Sequence, residues 1–198
     1  MGGGGKRELM GVPKSRRKES KFEAQHHYYK LRTDVTNLIL LDFGFSEEKY
    51  KKSIERYRQM HENAPDVEAV VARYEQKCRS FKEWFVDKEA DAVLHMLRMI
   101  ETEFTIANSI YPSETPAKIA EFCERRKHMD EAISWCYVLK QELQYIIRTL
   151  PVNINKFERF AKSIDEQISL YKGVRTSDNR LWRTKPGKSK KQTNKAKP

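Results

Sequence analysis

The sequence predicts an all-α fold, an antiparallel up-and-down helical bundle with a disordered basic segment at each end. Through most of the middle of the chain, apolar residues recur at steps of three and four, and no stretch alternates as a strand would. Charged residues make up 34% of the 198 residues and the mean hydropathy is −0.82, values that suit long, well-solvated helices. Short breaks separate the periodic stretches, and short connections between long helices favour antiparallel neighbours.

Net charge divides the chain into three parts. Residues 1–21 hold seven Lys/Arg and two acids, and residues 176–198 hold eight and one, so 22–175 is close to neutral although the chain carries +11. We therefore predict a disordered basic leader over 1–21, a helical domain over 22–175 and a disordered basic tail over 176–198. Cationic segments that flank a near-neutral domain are typical of proteins that bind polyanions, most often nucleic acid.

Two helices are predicted before residue 62. The first is marked by four apolar residues on one face: Tyr28, Leu31, Val35 and Leu38. Gly44 follows shortly after and is suited to ending a helix, because glycine adopts the left-handed conformation easily. Ser46, followed by two glutamates, caps the next helix, which runs to about His61.

A long apolar stripe predicts helix between 66 and 107. Pro65 suits the helix start, and the stripe comprises Val67, Val71, Tyr74, Cys78, Phe81, Phe85, Val93, Leu97, Ile100, Phe104 and Ala107. Its spacing slips at 87–89. The sequence leaves open whether this segment is one helix with a rotated face or two helices with a kink.

Two further helices follow the turn at 111–116. The first carries a bundle-like stripe that ends before Pro151: Ala132, Cys136, Leu139, Leu143, Ile146 and Leu150. The second begins after a cap at Asn153 and is predicted to close at Gly173. Its stripe comprises Phe157, Phe160, Ile164, Ile168 and Tyr171.

Composition argues against several classes of protein. No apolar run approaches the ~18 residues that a membrane-spanning helix needs, so we expect no membrane partner. The three cysteines, Cys78, Cys123 and Cys136, are odd in number and lie on apolar helix faces, which predicts buried thiols in a reducing cytoplasm. No His or Cys residues have the spacing of metal ligands, and we expect neither a metal nor a cofactor.

One enzyme-like motif is present. Arg56 and His61 form an Arg-x4-His pattern that resembles the catalytic motif of HEPN ribonucleases, helical proteins that bring the two side chains together across a dimer cleft. A histidine can transfer a proton while an arginine stabilises a phosphorane. This pattern supports an alternative function as a ribonuclease.

The last two predicted helices resemble a known family. The residues that carry the likeness are 130–139 (DEAISWCYVL), 143–147 (LQYII), 156–160 (KFERF), 164–168 (IDEQI) and 171–175 (YKGVR). They are similar to the accessory variability determinants of diversity-generating retroelements, over about 115–175, and residues 1–60 have no counterpart. The resemblance implies a four-helix bundle that forms a homo-oligomer, a pentamer in that family. It also implies that the protein binds RNA or complementary DNA and partners a reverse transcriptase.

We predict that basic side chains of the last two helices and the tail contact nucleic acid. The predicted residues are Arg125, Arg126, Lys127, Lys156, Arg159, Lys172, Arg175, Arg180, Trp182, Arg183, Lys185, Lys188, Lys190 and Lys191. The cations would form one strip along a phosphate backbone, and Trp182 would stack on an unpaired base. No catalytic residue is predicted, so the expected function is that of a non-enzymatic nucleic-acid-binding accessory to a reverse transcriptase. Besides the ribonuclease, the alternative is a helical interaction scaffold with a solvated polar face.

Overall fold

The computed structural model describes residues 21–111 and 118–183, without the side chains of 180–183. These residues form five α-helices: α1 (Lys21–Leu40), α2 (Glu47–Met60), α3 (Val67–Ser109), α4 (Lys118–Thr149) and α5 (Ile154–Arg183). No β-strand occurs in the described ranges, and Phe45 and Val152 form an isolated bridge. The prediction of an all-α fold is confirmed. None of the described helices is long and apolar enough to span a membrane.

The segment between 66 and 107 is one helix. α3 continues to Ser109 and spans 43 residues, or about 65 Å at 1.5 Å per residue. The slip in its stripe at 87–89 changes the face that is covered, since Phe85 and Val86 are buried before it and Val93 after it. The second half of α3 lies in the core, whereas in the first half Phe81 remains 46% exposed.

The core is built from the apolar stripes of α1, α4 and α5 together with the second half of α3. All four stripe residues predicted for α1 are buried, as are the six predicted for α4 and the five predicted for α5. Tyr28 donates a hydrogen bond to the carbonyl of Leu97, and Tyr171 stacks on Phe104 with ring centres 4.6 Å apart. Burial raises the pKa of both phenols, because the low-dielectric interior disfavours the phenolate.

A tight turn links α1 to α2. Asp42, Phe43 and Gly44 have φ angles of 49°, 55° and 70°, so three successive residues occupy the left-handed region that side chains disfavour. Phe43 is fully buried, and this burial offsets the backbone strain. The Ser46 amide donates to the Pro151 carbonyl (3.0 Å), and its hydroxyl accepts from the Lys49 amide (3.4 Å), which confirms the predicted cap.

The last helix is longer than predicted. α5 passes through Gly173, where we expected its end, and continues to Arg183, so the proposed tail boundary at 176 is wrong for 176–183. Glycine inside a helix costs about 1 kcal/mol. Burial of Val174 and the ion pair of Asp178 with Arg125 outweigh this cost. The disorder predicted for 1–20 and 184–198 concerns residues outside the described ranges.

Candidate nucleic-acid interface

Four segments of the chain meet at one end of the helical domain. Lys21, at the start of α1, has its ammonium 5.9 Å from the centre of the Tyr111 ring, just beyond α3. Burial lowers the pKa of Lys21, the nearby Arg125 on α4 lowers it further, and Asp178 on α5 partly opposes this. The start of α1, the end of α3, the start of α4 and the end of α5 are therefore neighbours. We call this region the arm end.

Both terminal segments of the chain attach at the arm end. Residue 20 directly precedes Lys21, and α5 ends at Arg183, five residues after Asp178 and about 8 Å further along the helix. Residues 1–20 contain six Lys/Arg and two acids, and residues 184–198 contain six lysines and no acid. These two segments together hold +10 of the chain's net charge of +11, so almost the whole net charge joins the domain at one place.

The structure corrects the role predicted for Arg125. Its side chain is only 3% exposed, and Nε donates to an Asp178 carboxylate oxygen at 2.7 Å. Nη1 donates to the carbonyls of Ala107 and Ile110 at the C-terminal end of α3. Arg125 therefore joins α3, α4 and α5 from inside and is not available to a phosphate. A buried guanidinium satisfies several acceptors at once, because its five N–H groups are held in a rigid fork.

Two predicted cations of the arm end share one carboxylate. Arg126 lies 3.7 Å from an oxygen of Asp130, and Arg175 of α5 donates to the other oxygen. Arg126 also donates to Asn179 at 3.1 Å, yet its side chain is 47% exposed. The step of four from Arg126 to Asp130 was visible in the sequence, and it is the signal that this carboxylate organises the surface.

Lys127 and Lys172 complete the exposed charge near this end. Lys127 is exposed, and no other described residue forms an ion pair or hydrogen bond with it. The Lys172 ammonium donates to the Tyr137 hydroxyl at 2.9 Å and lies 5.4 Å from the centre of that ring. Arg126, Lys172 and Arg175 therefore lie on one face formed by α4 and α5, where contacts join the start of one helix to the end of the other, and Lys127 is next to Arg126 in the chain.

Lys156 and Arg159 lie far from the arm end. Nineteen residues of α5 separate Lys156 from Arg175, about 28 Å along the helix. Two cations in the section between them are ion-paired, Lys162 with Glu158 and Lys140 of α4 with Asp165, each at 2.7 Å. The single strip of free cations expected from the sequence is thus divided into two groups by an ion-paired middle section.

The remaining predicted contact residues fall at or beyond the end of α5. Three lie in its last turns, where the structure describes the backbone only: Arg180, Trp182 and Arg183. Four more lie outside the described residues: Lys185, Lys188, Lys190 and Lys191. Asn179, which directly precedes Arg180, accepts a hydrogen bond from Arg126 near the start of α4.

The residues of the ribonuclease-like motif lie at the end of α2. The His61 ring stacks on Tyr57 with centres 4.2 Å apart, and Nδ1 lies 2.9 Å from the Tyr57 carbonyl oxygen. Arg56 is exposed, and within the described chain no contact joins it to His61. A shared catalytic position would therefore require a second copy of the chain.

The cysteines and possible metal ligands give no catalytic arrangement. The prediction that all three thiols are buried is confirmed for Cys136, whereas Cys78 is only half-buried and Cys123 is exposed. In the described ranges, no three His, Cys, Asp or Glu side chains are grouped as metal ligands would be.

Comparison of the chain with protein-family models, curated proteins and solved structures found no significant match. The resemblance of 115–175 to the retroelement accessory proteins therefore stays a prediction, and the argument for function depends on the geometry of this chain.

Proposed function

We propose that this protein is an antiparallel helical bundle without enzymatic activity that binds single-stranded nucleic acid at its arm end. The observation that carries the proposal is that both basic terminal segments join the domain beside the exposed Arg126 and Lys127. Two charged segments that are attached at the same place can contact the same stretch of a polyanion. Segments attached at opposite ends would have to engage separate stretches.

The proposed contacts are to phosphates. Arg126, Lys127, Lys172 and Arg175 would hold the backbone of the ligand on the α4–α5 face, and the lysines of 184–198 would lengthen the contact. Phosphate contacts position a ligand without reading its sequence, so base preference at this surface should be small. Each phosphate that is neutralised releases counterions, which makes the affinity fall steeply with salt.

The resemblance to the retroelement accessory proteins suggests the biological partners. It makes a reverse transcriptase the first protein to test, and RNA or its complementary DNA the first ligand, in the cytoplasm. It also suggests a homo-oligomer, a pentamer if the assembly of the family is kept. Co-purification of the full chain with a reverse transcriptase encoded beside it tests the partnership, and light scattering tests the oligomer.

The direct test of nucleic-acid binding compares two double variants of equal charge. Arg126→Ala/Lys127→Ala removes two exposed cations at the arm end. The matched control, Lys140→Ala/Lys162→Ala, removes two cations from the ion-paired middle section. Fluorescence anisotropy with labelled single-stranded RNA and DNA, over a series of salt concentrations, measures the slope of log affinity against log salt.

The arm-end variant should lower this slope by about 1.4, since each contact on a single strand contributes about 0.7. The control should leave the slope unchanged. Deletion of 184–198 removes six lysines and should lower the slope by at most about 4. Equal effects of the two double variants would show that only total charge matters, and the proposed surface would then be wrong.

The same samples test the ribonuclease alternative. We expect labelled RNA to stay intact during the binding measurements, with no difference between the wild type and His61→Ala. Cleavage that the wild type performs and His61→Ala does not would replace the binding function by a nuclease.

A further inference from the structure

A groove lies at the end of the domain opposite to the arm end. It has a volume of about 530 Å³ and is bordered by α2, the first half of α3, the end of α4 and the turn before α5. Arg148, on its wall, is 22 residues along α4 from Arg126, about 33 Å away. The volume falls in the range of pockets that hold small organic ligands.

The lining combines aromatic rings with cations. Four aromatic residues line the groove: Phe45, Tyr50, Tyr74 and Phe81. Three cations do so as well, Lys77, Lys82 and Arg148, and no described residue of the lining is a carboxylate. Such a surface complements a ligand that has a flat aromatic part and a negative charge.

Internal contacts leave two rings and two cations available to a ligand. The Lys82 ammonium pairs with Asp42 and lies 4.9 Å from the centre of the Phe45 ring. Arg79 lies over Tyr50 at 5.6 Å. No cation of the described ranges lies over the ring of Tyr74 or Phe81, and no other described residue forms an ion pair or hydrogen bond with Lys77 or Arg148.

Tyr74 ends a stack of three rings. His61 stacks on Tyr57, and Tyr57 stacks on Tyr74 with centres 3.8 Å apart and planes within 9°. Tyr57 covers one face of Tyr74 and does not line the groove, whereas Tyr74 does. A base placed in the groove against the part of Tyr74 that lines it would extend this row of rings.

Further aromatic side chains continue from the groove along the surface. Phe81 lies 6.0 Å from the exposed Trp84 and stacks at 5.4 Å on the buried Phe85, which in turn contacts the exposed Tyr145. Tyr145 precedes Arg148 by one helical turn on α4. Aromatic platforms interleaved with cations are how proteins hold successive bases of a single strand.

We propose that this groove binds a nucleotide of single-stranded nucleic acid, with the base against Tyr74 and Phe81 and the phosphate beside Lys77 and Arg148. The inference depends on the proposed nucleic-acid binding and gives it a second contact, one that senses bases. Trp84 and Tyr145 would support the neighbouring nucleotides.

The test separates base stacking from charge. The probes are a fluorescent oligodeoxyadenylate and an abasic oligomer of the same length, which keeps the phosphates and lacks the bases. Phe81→Ala is compared with Tyr29→Ala, since Tyr29 is an aromatic residue of equal exposure, 47% against 46%, on α1. Phe81→Ala should lower the affinity for the oligodeoxyadenylate about tenfold, because stacking of a base on one ring contributes roughly that factor. Phe81→Ala should leave the affinity for the abasic oligomer unchanged, and Tyr29→Ala should change the affinity for neither oligomer.

The outcomes distinguish the two proposals. The arm-end variant Arg126→Ala/Lys127→Ala should weaken both oligomers equally, and its failure to do so overturns the proposed function. If Phe81→Ala leaves the oligodeoxyadenylate unaffected, or weakens both oligomers equally, base binding in the groove is refuted. Docking of a protein segment there would give the first of these results.

Cys78 provides a second readout that needs no substitution. Its half-buried thiol lines the groove. The oligodeoxyadenylate should slow alkylation of Cys78 in the full chain, measured by mass spectrometry of the labelled peptide, and the abasic oligomer should not. Adenosine monophosphate alone should protect only at far higher concentration, because it lacks the arm-end contacts. Equal protection by the free nucleotide and the oligomer would overturn the inference of a nucleic-acid site.

Discussion

Replacing Arg125 should cost much more stability than replacing its neighbour Arg126. Arg125→Met keeps the length of the side chain but removes its charge and donors. The carboxylate of Asp178, 15% exposed, then loses its partner, and the carbonyls of Ala107 and Ile110 lose a donor. Arg126→Met is the matched control, since this side chain is 47% exposed and pairs at 3.7 Å.

The magnitude follows from burial. Removing one partner of a buried ion pair costs about 3–5 kcal/mol, because the other charge stays buried without compensation. An exposed pair contributes up to about 1 kcal/mol. With a urea dependence near 2 kcal/mol per molar, Arg125→Met should lower the unfolding midpoint by about 2 M and Arg126→Met by less than about 0.5 M.

The midpoints are measured by urea unfolding monitored by circular dichroism. Adding Asp178→Asn to Arg125→Met should recover part of the loss, because it removes the unpaired charge. Nucleic-acid binding should show the opposite ranking of the two variants. Arg126→Met should lower the slope of log affinity against log salt, and Arg125→Met, measured on the folded protein, should leave that slope unchanged. Equal loss of stability in the two variants would refute the buried role assigned to Arg125.

Three further predictions concern acidity, thiol access and domain limits. Burial and the neighbouring Glu142 raise the pKa of Glu89 to about 7. The free energy of unfolding should therefore fall as pH rises from about 4.5 to 7. Thermal melts at pH values across that interval should show that Glu89→Gln flattens this dependence. A polar thiol reagent should label exposed Cys123 fastest and buried Cys136 slowest, as burial also raises the pKa of the Cys136 thiol to about 12. A chain of residues 21–183 should melt cooperatively and at higher temperature than 22–175, which lacks the ion pair of Asp178.

The helix faces could be predicted because burial leaves a periodic signal. The predicted stripes of α1, α4 and α5 are buried, because each of these helices packs one face against the others. The stripe of α3 was misleading at Phe81, which has the right spacing but lies where α3 extends past most of the core. Periodicity identifies the face that can be buried, and the lengths of the neighbouring helices decide whether it is.

Local signals failed where tertiary contacts outweighed them. Glycine commonly ends a helix, yet α5 continues past Gly173 because the turns that follow it contact α4. Arg125 belongs to a basic run, which predicts a position on the surface. It lies four residues before Met129 in the stripe that continues to Ala132 and Cys136, so its burial was present in the spacing and hidden by its charge.

The contact between the carboxyl groups of Glu89 and Glu142 could not be predicted from the sequence. The two residues lie on different helices, and charged residues in a highly charged chain are expected to face solvent. In the folded chain Oε2 of Glu89 is buried, and no N–H or O–H of the described residues donates to it. Since two carboxylates cannot donate to each other, this contact becomes a hydrogen bond only when one of them holds a proton.

The arm end and the groove would contribute to affinity in different ways. Contacts between cations and phosphates weaken as salt rises, because their free energy comes largely from counterion release. Stacking of bases on Tyr74 and Phe81 involves no net charge and should persist. Capture of a strand at low salt would then depend on the arm end, and retention at high salt on the groove. About 33 Å separates Arg126 from Arg148, so a strand must span most of α4 before both contributions act on it together.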